Sequence, residues 1–170
     1  MNLAHIHLIL NHIPLIGMGV TVLLLIVALL RRSKELTIVS LIFVVLVALW
    51  AIPVYLTGEP AEEIIEEMTG VSENLIEEHE EQAEAAFIFT EITGALALIA
   101  LLVSLYSDRF RQKLAVLTLI ALLISGGLMA WTANLGGKIR HPEIRSDTGS
   151  QNTSPHVMYE EEHEEEEDDD

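Results

Sequence analysis

The chain has 170 residues, 51% of them hydrophobic, and it carries 9 Lys and Arg against 26 Asp and Glu. The formal net charge of −17 repels phosphate backbones, which argues against nucleic-acid binding. The sequence contains no cysteine. Disulfides, cysteine-ligated iron–sulfur clusters and covalent haem attachment through a C-x-x-C-H motif are therefore excluded.

The apolar residues are concentrated in four long blocks, whereas soluble domains spread them over short runs. Each block is close to the ~20 residues that a helix needs to cross ~30 Å of hydrocarbon. The blocks lack the alternation of apolar and polar residues that barrel strands require. We therefore predict an all-α membrane protein, a four-transmembrane-helix bundle in the lipid bilayer, with spans at 8–30, 37–56, 83–106 and 114–134.

Cations set the expected orientation of these spans. Six of the nine Lys and Arg lie in two short loops, the first between spans one and two and the second between spans three and four: Arg31, Arg32, Lys34, Arg109, Arg111 and Lys113. The positive-inside rule predicts that both loops are cytoplasmic. The N-terminus lacks the basic start and cleavage site of a signal peptide, so we expect the first span to be retained. The prediction is a multi-pass protein of the bacterial inner (cytoplasmic) membrane with both termini outside.

The segment between spans two and three is predicted to form a short extracytoplasmic helix. Glu59-Pro60 is a typical helix start, and Gly70 is a typical stop. Ser72 is expected to cap a continuous helix over 73–106. We likewise expect Gly136-Gly137 to end the fourth helix.

The C-terminal segment differs in composition from the rest. It begins with small polar residues and ends in a run of Glu and Asp, which cannot bury enough apolar surface to fold. We predict two parts: a four-helix transmembrane domain at 1–145 and a disordered acidic tail at 146–170.

On this topology every histidine lies on the outer half of the bundle or beyond it. Those within the membrane domain are His5, His7, His12, His79 and His141. At ~1.5 Å per residue, His7 stands ~7 Å and His79 ~10 Å beyond the outer boundary, so the two are nearly level. Histidine is a common haem and transition-metal ligand, and this one-sided distribution predicts a haem or metal site.

Glu91 is the one ionisable residue expected inside the hydrocarbon. It lies about one and a half turns below the outer boundary of the third span, between two threonines. An ionisable group at this depth is expensive and rarely faces lipid. We consider three roles for it: a metal ligand, a proton carrier, and a protonated acid bonded to a polar neighbour.

Four short motifs, taken in order, resemble a family of small bacterial four-helix predicted membrane proteins, domain of unknown function 2231. They are His7-Leu-Ile-Leu-Asn-His12-Ile-Pro14, Thr57-Gly58-Glu59, Glu78-His79-Glu80 and Asn134-Leu-Gly136-Gly137-Lys-Ile-Arg-His141. The departures from the family pattern are Leu8, Ile13 and Glu59. The resemblance implies the four-helix fold, His7, His12, His79 and His141 as cofactor-binding positions, and a redox role.

Three functions remain open at this point. The first is a haem b or metal-based redox and electron-transfer module at the extracytoplasmic face, working with a redox protein. The second is a non-redox divalent-metal protein for sensing or storage, with His7, His79, His141 and Glu91 as candidate ligands and Glu78 as another carboxylate. The third is a structural subunit of a larger membrane complex. We do not expect the chain to be an enzyme by itself.

Overall fold

A computed structural model describes residues 3–66 and 72–141 of the chain. Helices account for most of these residues, and none of them lies in a β-strand. The helices are α1 (Leu3–Leu10), α2 (His12–Leu30), α3 (Lys34–Leu56), α4 (Gly58–Glu66), α5 (Glu73–Ser104) and α6 (Asp108–Arg140). The all-helical prediction is confirmed for this part of the chain. Four helical segments are long and apolar enough to cross a membrane. The predicted tail at 146–170 lies outside the described residues.

The four long helices form a bundle in which each packs against two neighbours. The order around the bundle is α2, α3, α5 and α6, and α6 packs back against α2. Short connections join α2 to α3 and α5 to α6, which makes these pairs antiparallel neighbours. The short helix α1 continues into α2 and packs against α4.

Small and hydroxylated side chains fill much of the interior of the bundle. Those buried include Ser40, Ala48, Thr90, Gly94, Ala97, Ala100, Thr118 and Ser125. The hydroxyl of Thr90 donates to a carbonyl of its own helix, and Thr93 and Ser125 form a 2.9 Å hydrogen bond between α5 and α6. Many large aliphatic side chains face outward instead, and Leu23 is 66% exposed and Leu30 80% exposed. Small interior residues allow the close helix approach that is common in membrane bundles.

The two predicted basic loops lie at the same end of the bundle. Lys34 Nζ at the start of α3 is 3.3 Å from the carboxylate of Asp108 at the start of α6. The same carboxylate accepts a hydrogen bond from the buried Arg111. Serines cap the two helices, since Ser33 and Ser107 accept from main-chain N–H groups of α3 and α6. We call this end the basic end.

The opposite end extends beyond the apolar segments. With 32 and 33 residues, α5 and α6 are about 48 and 50 Å long, whereas a hydrocarbon layer is about 30 Å thick. The excess length of α5 is its charged N-terminal part, residues 73–82. Together with α1, α4 and residues 135–141, it forms what we call the histidine end.

Two helix boundaries differ from the prediction. The first span is interrupted at Asn11, although this residue keeps helical dihedral angles. Pro14 lacks the N–H that would bond to residue 10, so the helical hydrogen bonds restart at His12. In α6, Gly136 and Gly137 do not end the helix, which continues to Arg140. Gly136 instead packs beneath the imidazole of His79.

A pair of glycine substitutions tests the close packing of α3 and α5. A Cβ at Gly94 would clash with Ala48, whereas a Cβ at Gly127 would meet no atom within 4 Å. We expect Gly94→Ala to lower the free energy of unfolding by about 1–3 kcal/mol, the usual cost of overpacking. Gly127→Ala should leave it unchanged or raise it by up to about 1 kcal/mol. Unfolding in mixed micelles, followed by tryptophan fluorescence, gives both values, and equal values would contradict the packing.

Candidate cofactor site at the histidine end

His7 is held on α1 by the C-terminal end of α3. Its Nδ1 lies 3.1 Å from the carbonyl oxygen of Val54 and 3.2 Å from the hydroxyl oxygen of Thr57. That hydroxyl donates to the Pro53 carbonyl at 2.9 Å, so its oxygen is available to accept. The Val54 carbonyl also accepts from the main-chain N–H of Thr57, and a carbonyl oxygen can accept more than one hydrogen bond. The end of α3 therefore supplies the acceptors that orient this half-buried ring.

His79 is held on α5 by α6. Its Nδ1 lies 3.0 Å from the carbonyl oxygen of Thr132. Gly136, one turn further along α6, gives the ring room to lie on that helix. A Cβ at this glycine would be 3.1 Å from Cε1 of His79, which is closer than most such contacts in proteins. The absence of a side chain at Gly136 therefore fixes where the ring lies.

The two rings share one arrangement of nitrogens. Each Nδ1 faces a main-chain carbonyl, which only accepts, so Nδ1 carries the proton and Nε2 keeps its lone pair in the neutral ring. Metal-ligating histidines in proteins usually bind the metal through one nitrogen and donate from the other to a carbonyl or carboxylate. His7 and His79 therefore have the orientation expected of ligands that bind through Nε2.

Burial favours the neutral form of both rings. Both lie beyond the apolar segments, and desolvation lowers the pKa of His7 and of His79 below the ordinary value, against the raising effect of the hydrogen bonds to the Val54 and Thr132 carbonyls. When His7 is charged, it lowers the pKa of His79 further. Neutral imidazole is the form that binds metal.

The other predicted positions are arranged differently. His12 is exposed, and its Nδ1 bonds to the Leu8 carbonyl one turn earlier at 2.9 Å. His141 is exposed just beyond the end of α6. Glu91 is 12 residues after His79 on the continuous helix α5, a rise of about 18 Å, which places it too far away to share an ion with His79. Among residues 3–66 and 72–141, no three His, Asp or Glu side chains come together as a metal-ion site.

A cluster of carboxyl groups from α4 and α5 lies at this end and was not predicted. Glu62 on α4 is partly buried, and burial, followed by the charges of Glu80, Glu66 and Glu59, raises its pKa to about 7. A neighbouring cleft is lined by Glu66, Glu73, Ile76, Glu77 and Glu80. The only sequence signal was the spacing of Glu59, Glu62 and Glu66 on one helix face, and the contribution of α5 needed the fold.

Comparison with protein-family models, with curated proteins and with solved structures gives no match. The resemblance to the four-helix family therefore stays a prediction from the motifs.

The carboxyl cluster predicts how stability depends on pH. A pKa near 7 in the folded chain, against an ordinary value of 4.5, means that folded Glu62 holds its proton where the unfolded chain has lost it. Its contribution to stability should be complete below about pH 4.5 and fall as the pH rises towards 7. Glu62→Gln should flatten the dependence of melting temperature on pH in this window. The exposed neighbour Glu63 provides the control, and an equal effect of Glu63→Gln would contradict the assignment.

Proposed function

We propose that this chain is a membrane-embedded redox module that binds haem b at the histidine end through His7 and His79. The observation that supports this proposal is that two half-buried imidazoles on different helices each have Nδ1 within hydrogen-bond distance of a main-chain carbonyl, an arrangement that leaves the lone pair of the neutral ring on Nε2. Haem b, when bound, supplies one-electron transfer at its iron. The carbonyls of Val54 and Thr132 would hold the rings in the tautomer that coordination needs.

The number of available ligands favours haem over a bare divalent ion. A structural or catalytic zinc site takes three or four protein ligands. In the part of the chain that the structure describes, no such group of three side chains is assembled. Haem iron needs only one or two protein ligands, because the porphyrin provides four nitrogens. Two histidines therefore suit haem, whereas the alternative of divalent-metal sensing or storage needs ligands that this arrangement does not gather.

The outward-facing residues support a position in the lipid bilayer. Exposed large apolar side chains run along all four long helices, among them Ile16, Val39, Leu98 and Ile120. Soluble monomers rarely expose contiguous apolar patches of more than a few hundred Å². In a bilayer these side chains meet hydrocarbon. The six cations of the basic end favour the cytoplasmic side for it, and the proposed orientation therefore has the histidine end and the termini outside the inner membrane.

The proposed partner is a redox protein that meets the histidine end from outside. Glu59, Glu63, Glu66, Glu77 and Glu80 are exposed there, and this surface favours an approaching surface of positive charge. A structural subunit of a larger complex would need neither the buried rings nor their orientation. The chain would carry electrons for other proteins rather than act as an enzyme by itself.

A visible spectrum of the detergent-purified protein tests the haem proposal. We expect a Soret band, and we expect His7→Ala and His79→Ala each to remove or shift it because both rings ligate one iron. His12→Ala should retain it, since that exposed ring bonds only within its own turn. Metal analysis of the same samples separates the alternatives. A colourless protein with stoichiometric metal would favour the divalent-ion function. A protein with neither a Soret band nor bound metal would favour the function of a structural subunit.

Single cysteines test the membrane orientation cleanly, because the chain has none of its own. We expect a membrane-impermeant maleimide added to bacterial spheroplasts to label Glu63→Cys on α4. Arg109→Cys at the basic end should react only after the membrane is broken. Both positions are exposed in the folded chain, so their difference reports the side of the membrane. The reverse pattern would invert the orientation, and equal labelling would argue against insertion.

A further inference from the structure

Glu91 and a nearby pair of aromatic rings have no role in the proposed haem site. Oxygen Oε1 of Glu91 is enclosed by protein and has no hydrogen-bond partner. Phe87, one turn earlier on α5, stacks on Tyr55 of α3 with 4.3 Å between ring centroids and 7° between ring planes. Residues four apart on a helix share a face, so the carboxyl and the stacked rings lie along the same α3–α5 seam.

This seam opens to the outside of the bundle. Tyr55 is 41% exposed, and Glu91 is partly exposed although one of its oxygens is enclosed. Tyr55 is near the end of α3, at the boundary of the apolar segment, and Glu91 lies about 6 Å deeper than Phe87 along α5. A lipid-soluble molecule would reach this place from the bilayer without entering the core.

We propose that this seam binds the head group of a membrane quinone, which would be the electron donor or acceptor of the haem proposed above. The aromatic pair offers a flat apolar edge for the quinone ring, and ligand sites combine such surfaces with a few polar groups. A carboxyl suits both redox forms of the ligand. Protonated Glu91 donates a hydrogen bond to a quinone carbonyl, and ionised Glu91 accepts one from a quinol hydroxyl.

The balance of the reaction follows from these roles. Oxidation of a quinol to a quinone releases two electrons and two protons. The proposed haem, when bound, would accept these electrons one at a time, and the external redox protein would be their final acceptor. The ionised carboxylate of Glu91 takes one proton, and water at the histidine end takes the other. Phe87 is eight residues from His79, a rise of about 12 Å along one continuous helix, so the two sites adjoin.

The binding test uses short-chain benzoquinone and naphthoquinone probes on the purified full chain, with quenching of tryptophan fluorescence as the readout. We expect Glu91→Leu to weaken binding about tenfold, the effect of one lost hydrogen bond in an apolar site. Phe87→Leu should weaken it similarly by removing the stacked ring. Phe89→Leu is the matched control, because Phe89 is an exposed phenylalanine on the same helix that is not part of the stacked pair. It should bind as the unaltered protein does.

Two outcomes decide the proposal, and a further variant separates hydrogen bonding from folding. Weaker binding in Glu91→Leu and Phe87→Leu, with melting temperatures unchanged, supports it. Glu91→Gln separates hydrogen bonding from folding, because the amide still donates to a quinone carbonyl and should preserve quinone binding. Equal quenching in all variants would mean that the probes merely partition into detergent, and this would overturn the proposal.

The inference rests on the proposed redox function, yet the two fail separately. Quinone binding without a Soret band would support the quinone site and contradict the haem site. A Soret band that is insensitive to added quinol, in a protein whose quenching is equal in all variants, would support the haem site and contradict the quinone site. If both the haem site and the quinone site are confirmed, quinol should reduce the haem more slowly in Glu91→Leu than in the unaltered protein, while the haem spectrum stays the same.

Discussion

Close approach of helices through small residues is the constraint on which the rest of the structure depends. Gly94 lies against Ala48, and no larger side chain fits between α3 and α5 at that level. With small residues inside, many large apolar side chains are left to face outward, as in helices long and apolar enough to cross a membrane. The buried hydroxyls are compatible with such a core, because those of Thr21, Thr90 and Thr118 bond to carbonyls within their own helices.

The same close packing determines what the helix ends can do. When helices lie side by side, a ring on one helix can reach a main-chain carbonyl on its neighbour, and both site histidines do so. The two acceptors differ in origin. Val54 is in the last turn of α3, where its carbonyl also accepts from the N–H of Thr57, whereas Thr132 lies inside α6 and is reached because Gly136 carries no side chain. The orientation of the rings therefore depends on backbone placed by packing.

Much of the fold can be predicted from the sequence, because the length of the apolar segments predicts the long helices and the rise per residue predicts that His7 and His79 lie near one level. The groups that orient the two rings cannot be predicted in this way. A main-chain carbonyl such as that of Val54 exists at every residue, so only the fold reveals which one a ring meets. Gly136 resembles a helix end because glycine is common just after the last residue of a helix. In the structure α6 continues past it, and Gly136 instead contacts the His79 ring of α5. The raised pKa of Glu62 arises from burial and from the charge of Glu80 on α5. The spacing of residues along α4 could not predict either of these causes.

Two opposing effects act on the histidines, and their relative size decides whether the site can bind a cofactor. The hydrogen bonds to the Val54 and Thr132 carbonyls favour the charged imidazolium, which cannot use Nε2 as a ligand, while burial favours the neutral ring. The pKa values of His7 and His79 both lie below the ordinary value, so burial outweighs these hydrogen bonds. Many of the carboxylates around them are exposed and screened by water, whereas the rings are partly withdrawn from it. The histidine end thus combines an acidic surface with imidazoles whose neutral form is favoured by burial.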